Sequence, residues 1–207
     1  MTTNNLKKNV LIIGGSGFIG KNLIDKYIEQ GYYVLNYDKV PYETYTQNSI
    51  ENFNASSESQ DFETIFSSYE IDHIVYLINT VHPSYKMDME IEKKIEENII
   101  FPIRIIDFAN KKGINKIIYF SSGGAVYGNY KNKFSEHDKL EPITFYGITK
   151  KIVENYLIEN KKNNDLDFLI LRPSNPYGKY QNILNNQGII AIIINKILKS
   201  EPVEIWG

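Results

Sequence analysis

The sequence predicts an α/β fold: a Rossmann-type doubly wound parallel sheet with helices on both faces. Short apolar runs rich in Val, Ile and Tyr alternate with longer segments of helical period, as expected of repeated βαβ units. The first apolar run leads directly into a glycine-rich turn and then a helical pattern, which is how many sheets of this kind begin.

The elements are assigned from these patterns. The predicted strands, mostly continuous apolar runs as expected for strands covered on both faces, are Val10–Ile13, Tyr33–Asp38, Ile74–Ile78, Lys116–Ser121 and Phe168–Leu171. The predicted helices are Phe18–Gln30, Met87–Lys112 and Tyr146–Lys161, with Gly31 and Gly113 as C-terminal stops. The polar segment 49–60 leaves a short strand at Ile50–Phe53 as an alternative to a loop, and residues 129–142 are a predicted loop.

Composition excludes several classes of protein. The 207 residues fit one large domain or one domain plus part of another. A net charge of −2 gives no global positive field, so we expect neither nucleic acid nor a membrane as partner. The absence of Cys excludes disulfides and thiol chemistry, and the three His lack ligand spacing, so we expect no metal. Apolar runs 10–13 and 189–194 are too short for a signal peptide or a membrane span, and we expect a cytoplasmic protein.

The glycine-rich turn GGSGFIG, residues 14–20, is a candidate phosphate cradle. Glycines at 14, 17 and 20 allow a sharp turn and close approach of a pyrophosphate, and the following helix start supplies unpaired N–H groups. We take Gly14, Gly17, Phe18, Ile19 and Gly20 as cofactor-binding candidates.

The second predicted strand ends in an acidic residue. Asp38 lies eighteen residues beyond Gly20, near the spacing at which a carboxylate binds the adenosine ribose of NAD. The carboxylate favours NAD over NADP, although the adjacent Lys39 works against this preference. The alternative for both features is an ordinary glycine turn and a surface aspartate.

A tyrosine and a lysine stand four residues apart in the last predicted helix. Tyr146 and Lys150 therefore share one helix face, where a nearby cation favours the phenolate and a general-base role. The alternative is a pair on the helix surface. Two further motifs, SSGGAVYG at 121–128 and RPSNPYG at 172–178, follow predicted strands, at the sheet edge where ligands of such folds bind.

Taken in order, GGSGFIG, Asp38, SSGGAVYG, YGITK and RPSNPYG resemble the extended short-chain dehydrogenase/reductases, and within them the NAD-dependent epimerase/dehydratase family that acts on nucleotide sugars. The resemblance implies NAD as cofactor, Tyr146 as base and Lys150 as a ligand of the nicotinamide ribose that lowers the pKa of the phenol. It also implies that Asp61 binds the cofactor near the adenine, that Asn98 binds the cofactor from the sheet side of its helix, and that Asn175 lies near the substrate diphosphate. For Asn98 the alternative is an ordinary polar helix residue.

Two departures from the family pattern affect the expected chemistry. The family usually has Ser or Thr where Gly123 stands, so either Ser122 substitutes as the catalytic hydroxyl or the site is weakened. Ser122 could equally be a buried serine bonded to backbone. Dehydratases of the family carry Asp-Glu at the positions of Gly124 and Ala125, and the absence of this pair argues against dehydration.

The resemblance therefore implies 4-epimerisation of a nucleotide sugar through transient oxidation to a keto sugar. A nucleotide-sugar reductase or dehydrogenase, or a non-catalytic NAD-binding fragment, are the alternatives. We expect residues 1–207 to be an NAD-binding Rossmann domain, with 179–207 the start of a truncated substrate-binding portion. By the same resemblance we expect a homodimer through segments Met87–Lys112 and Tyr146–Lys161.

Overall fold

The fold is organised around one parallel sheet of six strands. The structure is a computed structural model that describes residues 8–45, 48–55, 60–82, 90–114, 116–163, 166–182 and 188–203, without the side chains of residues 60, 61 and 163. The strands are β1 (Asn9–Ile13), β2 (Tyr33–Asp38), β3 (Ile50–Asn54), β4 (His73–Tyr76), β5 (Lys116–Phe120) and β6 (Asp167–Leu171). Their order across the sheet is β3-β2-β1-β4-β5-β6.

The strand order confirms the predicted Rossmann-type topology. β1 pairs in parallel with both β2 and β4, so the chain winds outward in one direction through β3 and in the other through β6. Ligands of such sheets bind where the order reverses, outside the carboxyl ends of the two central strands. Here that point lies between β1 and β4. The glycine-rich turn that follows β1 lies at this point.

The predicted strand boundaries are largely confirmed, with one clear error. The predicted strand Ile74–Ile78 ends in the structure at Tyr76. The N–H of Leu77 still donates to the carbonyl of Ile13 at 2.8 Å, and beyond this bond the chain leaves the sheet. Ile50–Asn54 is a strand paired with β2. Of the two alternatives for this polar segment, strand or loop, the structure has the strand.

The helices are α1 (Phe18–Glu29), α2 (Gln60–Ser68), α3 (Ile91–Ile95), α4 (Phe101–Lys111), α5 (Phe145–Asn163) and α6 (Ile189–Leu198). A π-helical turn, Glu96–Ile100, joins α3 to α4. The predicted helix Met87–Lys112 is therefore not one regular helix, and its residues 87–89 lie outside the described part of the chain. Helices α2 and α6 were not predicted. Within the described residues, no helix is both long and apolar enough to cross a bilayer.

Helices cover both faces of the sheet, as predicted. One core cluster joins strand residues such as Leu11 and Ile117 to α2, α4 and α5. The other joins the alternate residues of the same strands, such as Val10 and Ile12, to Ile24 of α1. Because neighbouring strand residues point to opposite faces, β1 and β4 are apolar on both faces from Val10 and from Ile74 to their ends.

The packing of α5 on the sheet can be tested with adjacent leucine and isoleucine residues. Leu157 is fully buried, whereas Ile158 is 42% exposed. We expect Leu157→Ala to lower the free energy of unfolding by about 2–5 kcal/mol, because it removes buried methyl groups and leaves a cavity. Ile158→Ala is the matched control and should change it by less than about 1 kcal/mol. Urea denaturation followed by circular dichroism measures both, and equal losses would contradict this packing.

Candidate active site

A cleft runs along the carboxyl edge of the sheet, beside the point where the strand order reverses. Its volume is about 560 Å³. The residues that line it come from the segments after β1, β4, β5 and β6 and from the start of α5: Gly14, Gly17, Phe18, Ile19, Gly20, Leu77, Asn79, Phe120, Ser121, Ser122, Tyr146, Lys150, Pro173, Ser174, Asn175, Pro176, Gln181, Gly188 and Ile189. The structure thus brings together most of the residues predicted from the sequence.

The glycine turn leaves the start of α1 open to the cleft. Gly17 is the N-cap of α1, no side chain caps the helix, and its first turn has no acidic residue. A helix start of this kind offers free N–H groups and a partial positive charge to an anion. A Cβ at Gly20 would lie 2.4 Å from the carbonyl oxygen of Gly15, so only glycine lets the helix pack this closely on the turn. These features fit a bound pyrophosphate.

Asp38 lies beside the glycine turn at the end of β2. Its carboxylate accepts hydrogen bonds from the N–H groups of Ser16, at 3.0 Å, and Val40, at 3.2 Å. The Ser16 hydroxyl in turn donates to the Val40 carbonyl. Asp38 is not among the residues that line the cleft, and its bond from Ser16 holds the glycine turn. Its role toward a ribose stays a prediction.

The tyrosine and lysine of α5 meet Ser122 at the base of the cleft. Lys150 is 4% exposed, and its Nζ donates to the carbonyl of Phe120 at 3.0 Å. Nζ lies 5.9 Å from the centre of the Tyr146 ring and 5.1 Å from that of Tyr119. Ser122 is half-buried and lines the cleft with Tyr146, and its catalytic role stays a prediction.

Burial dominates the ionisation of the pair. Burial raises the pKa of Tyr146 above its ordinary value, and the hydrogen bond from Ser122 opposes this shift. Burial also lowers the pKa of Lys150 to about 8, while the charge of Glu154 opposes that change. The spacing of the two residues predicts that Lys150 favours the phenolate, but in the folded protein burial is the largest influence on the pKa of Tyr146 and acts in the opposite direction.

The backbone excludes a side chain at Gly123, where the family usually has a hydroxyl residue. A Cβ there would lie 2.6 Å from the carbonyl oxygen of Arg172. The N–H of Gly123 also donates to the carbonyl of Pro173 at 2.9 Å. Gly123 is therefore required by the close approach of two strand ends, and Ser122 is the hydroxyl left beside Tyr146.

The remaining predicted site residues have different positions. Asn175 is exposed and lines the cleft. Asn98 is buried and does not line it; its side chain bonds the N–H and hydroxyl of Thr80 and the carbonyl of Lys94. Asn98 therefore holds the segment after β4 rather than facing the cleft. The side chain of Asp61 lies outside the described residues, so its predicted role stays a prediction.

The π-helical turn lies at Asn98, whose amide contacts Thr80 in the segment after β4. Pro102 stands in the first turn of α4 and has no N–H to donate to the carbonyl of Asn98, four residues earlier, which its ring would also crowd in a regular α-helix. The wider π turn accommodates the proline. It directs the Asn98 amide toward Thr80, 2.7 Å away.

Sequence reasoning missed several residues that line the cleft. Asn79 follows β4 directly, and a polar residue after a buried strand is a signal that could have identified it. Gln181, Gly188 and Ile189 come from a segment without periodicity or motif, so nothing in the sequence placed them there. Ser121 Oγ also lines the cleft; it is buried and has no hydrogen-bond partner within the described part of the chain, as fits a group that bonds a ligand.

Among the residues that the structure describes, no three His, Asp or Glu side chains come together as possible metal ligands. The arrangement can instead hold a dinucleotide along the glycine turn and present a phenol, an ammonium group and a hydroxyl to a second ligand. A phenol beside an ammonium group can exchange a proton with an alcohol, which is half of an oxidation of that alcohol.

The chain is similar to known proteins over most of its length. Residues 10–207 match the family model of the NAD dependent epimerase/dehydratase family. The chain is 34% identical to the dTDP-4-dehydro-6-deoxyglucose reductase of Escherichia coli and 32% identical to a putative UDP-glucose 4-epimerase of Methanocaldococcus jannaschii, over 97% and 96% of its length. Among solved structures, the UDP-glucose 4-epimerase of Thermotoga maritima with UDP-glucose superimposes with a TM-score of 0.82 at 30% identity, over 96% of this chain.

The chain spans 66% of the length of each of these three proteins. The match to the family model covers the strands, the glycine turn and the Tyr146–Lys150 pair together. The chain belongs to the NAD dependent epimerase/dehydratase family.

Proposed function

We propose that the protein is an NAD-dependent nucleotide-sugar epimerase that inverts C4 through transient oxidation to a keto sugar. The observation that carries this proposal is the convergence of the open start of α1, Ser122, Tyr146 and Lys150 on one cleft. One end of the cleft suits a pyrophosphate and the other an alcohol that is to lose a proton. Family membership supports NAD as the cofactor.

Each residue of the site would have a separate role in the reaction. The turn 14–20 holds the pyrophosphate, Asp38 holds the adenosine ribose, and Lys150 bonds the nicotinamide ribose. When bound, NAD supplies a hydride acceptor and a positive charge near the phenol. Tyr146 takes the proton of the sugar hydroxyl and returns it after the keto sugar has turned its other face.

Two supporting groups complete the proposed site. Ser122, which lines the cleft with Tyr146, orients the sugar oxygen in place of the hydroxyl that the backbone excludes at Gly123. Asn175, exposed at the rim of the cleft, bonds the diphosphate of the substrate. Arg172 does not touch the cleft; it binds Glu154 and the carbonyl of Glu136, which fits a role in supporting the strand end.

A nucleotide-sugar reductase is the second candidate, because a reductase of a dTDP-keto sugar is 34% identical to this chain. Both reactions use the same base and cofactor. They differ in whether the hydride returns to the same sugar or is supplied by an external NADH. A third candidate, a fragment that binds NAD without turnover, differs from both in forming no product. Residues Gly124 and Ala125 lack the carboxylates needed to eliminate water, so dehydration is not proposed.

The proposed domain organisation separates cofactor binding from substrate binding. Residues 1–207 would form the NAD-binding domain, and 179–207 would begin the substrate-binding portion. Helix α6 supports this division, because it has no buried residue, and Ile197 and Leu198 are 63% and 80% exposed. Residues 183–187 and 204–207 lie outside the described part of the chain. A cytoplasmic location stays a prediction.

Incubating the chain with NAD and a panel of UDP- and dTDP-sugars tests the function. We expect UDP-glucose or a related sugar to give its C4 isomer with no net change in NADH absorbance. Tyr146→Phe should lower turnover by about 10³-fold, because it removes the proton acceptor, while the dissociation constant for NAD stays the same. Product analysis by chromatography and NAD titration by calorimetry measure the two effects.

Each other outcome selects a different candidate. In an incubation that supplies NADH and a keto sugar instead, stoichiometric consumption of NADH would favour the reductase. NAD binding without product from any sugar would favour the non-catalytic fragment. Unchanged turnover in Tyr146→Phe would exclude Tyr146 as the base.

The exclusion of a side chain at Gly123 gives a matched pair of variants. Gly123→Ser restores the usual family hydroxyl, but its Cβ would lie 2.6 Å from the Arg172 carbonyl oxygen, whereas at Gly124 the nearest atom lies 3.9 Å away. We expect Gly123→Ser to lower the free energy of unfolding by about 1–3 kcal/mol through overpacking and not to raise turnover. Gly124→Ser should leave stability within about 1 kcal/mol of the original chain. Thermal unfolding measures the stability of both variants. A Gly123→Ser variant that is as stable as the original chain and more active would contradict the geometry.

We also propose a homodimer through the segments Met87–Lys112 and Tyr146–Lys161. Apolar residues on their outer surfaces support it: Ile95, Ile148, Ile152 and Ile158 are 38%, 42%, 37% and 42% exposed. Ile152→Glu should then shift the mass measured by light scattering from twice 24.0 kDa to 24.0 kDa, because it places a charge in an apolar contact. A mass of one chain before any substitution would contradict the dimer.

A further inference from the structure

Helix α5 carries a third ionisable residue in line with the proposed catalytic pair. Tyr146, Lys150 and Glu154 follow one another at intervals of four residues, so they lie on one face of the helix. Lys150 is 4% exposed, and Glu154 is completely buried. Two opposite charges are therefore buried one helical turn apart, next to the phenol. Burying a charge costs free energy, and this cost is tolerated only where the charge is paired.

Arg172 holds the Glu154 carboxylate in place. Its Nε lies 3.1 and 3.2 Å from the two carboxylate oxygens, and its Nη2 donates to Oε2 at 2.6 Å. The remaining nitrogen, Nη1, donates to the Tyr127 hydroxyl at 2.9 Å and to the Glu136 carbonyl at 3.0 Å. A guanidinium bound in this forked manner fixes the carboxylate more firmly than a single contact would.

The surroundings of Lys150 contain few other groups that favour its charge. The titratable groups that the described residues place around it are Tyr119 from β5, Tyr146 and Glu154 from its own helix, and Arg172 from the end of β6, bound to Glu154. The tyrosines present ring faces, which attract a cation weakly. Burial lowers the pKa of Lys150 to about 8, and Glu154 is the charge that opposes this shift.

We propose that Glu154 is a positioning residue for catalysis: held by Arg172, its carboxylate keeps Lys150 in the ammonium form beside Tyr146. This inference rests on the proposed function, since the charge of Lys150 matters to the reaction only if Tyr146 is the base. An ammonium group stabilises the phenolate that forms when the sugar proton is taken, whereas a neutral amine does not. Removing the carboxylate therefore deprives Tyr146 of its cation at neutral pH without altering any residue that lines the cleft.

The charge of Lys150 can be followed directly, without cofactor or turnover. The protein is prepared with lysine labelled with ¹³C at Cε, and the Lys150 signal is assigned by its loss in Lys150→Arg. Its shift is then recorded between about pH 6 and pH 10, the range around the expected midpoint. We expect Glu154→Gln to lower the Lys150 midpoint by about 1 pH unit, the shift expected for loss of one nearby opposite charge. This is a tenfold fall in the ratio of ammonium to amine above the midpoint.

Two further variants separate charge from packing. Glu154→Asp keeps the negative charge in a shorter side chain, and it should keep the midpoint near that of the original chain. Glu159→Gln removes an exposed carboxylate of the same helix, which pairs with Lys162 at 3.7 Å, and it should leave the midpoint unchanged. A midpoint that Glu154→Gln does not move, or that Glu154→Asp moves by as much, overturns the inference. If Glu154→Gln fails to fold by circular dichroism, the Asp variant still decides, because a packing role predicts a displaced midpoint and a charge role does not.

Activity provides a second readout in a protein that turns over. The pH below which the rate falls reports the base, and in Glu154→Gln the rate at pH 7 should fall more than at pH 6, where Lys150 is still protonated. The KM for the sugar should stay within a factor of about two, because no residue that lines the cleft is altered. A chain that fails to bind NAD contradicts the proposed function and leaves the Lys150 titration valid; an unmoved midpoint in a chain that binds NAD contradicts only this inference.

Discussion

Burial of the Lys150 charge at the carboxyl edge of the sheet is the constraint on which the site depends. An ammonium group removed from water must find compensating groups, and here they come from two elements: β5 supplies the Phe120 carbonyl and the Tyr119 ring face, and α5 supplies the Tyr146 ring face and the Glu154 charge. Each of these groups is placed by parallel strands ending at one edge with α5 packed across them. The fold and the proposed chemistry therefore share the same interactions.

The Glu154–Arg172 ion pair extends this arrangement to the end of β6. The N–H of Ser121 donates to the Leu171 carbonyl at 2.7 Å, and the N–H of Gly123 to that of Pro173 at 2.9 Å. The loop that carries Ser122 is thus bound to the strand end on either side of Arg172, while Arg172 itself is bound to the helix that carries Tyr146. The Glu154–Arg172 ion pair therefore joins the helix that carries Tyr146 to the strand end that binds the loop of Ser122.

Much of the fold could be predicted from the sequence because its signals are local. Buried parallel strands are continuous apolar runs, and the glycine turn precedes a helix of regular period. The missed helices lack such signals: α6 (Ile189–Leu198) is apolar on nearly every side, which gives no period, and α2 (Gln60–Ser68) follows a polar segment with no recognisable start. The π turn at Glu96–Ile100 is followed by Pro102, which is a local signal, but the hydrogen bond between Asn98 and Thr80 joins residues eighteen positions apart, and helical period does not reveal it.

The site was harder to predict than the fold, because its chemistry depends on burial. Spacing alone places Tyr146 and Lys150 on one face, but the pKa of each depends on desolvation, which only the packed structure supplies. Gly123 shows the same limit: in the sequence it is a missing hydroxyl, and in the structure it is the only residue type that lets two strand ends approach.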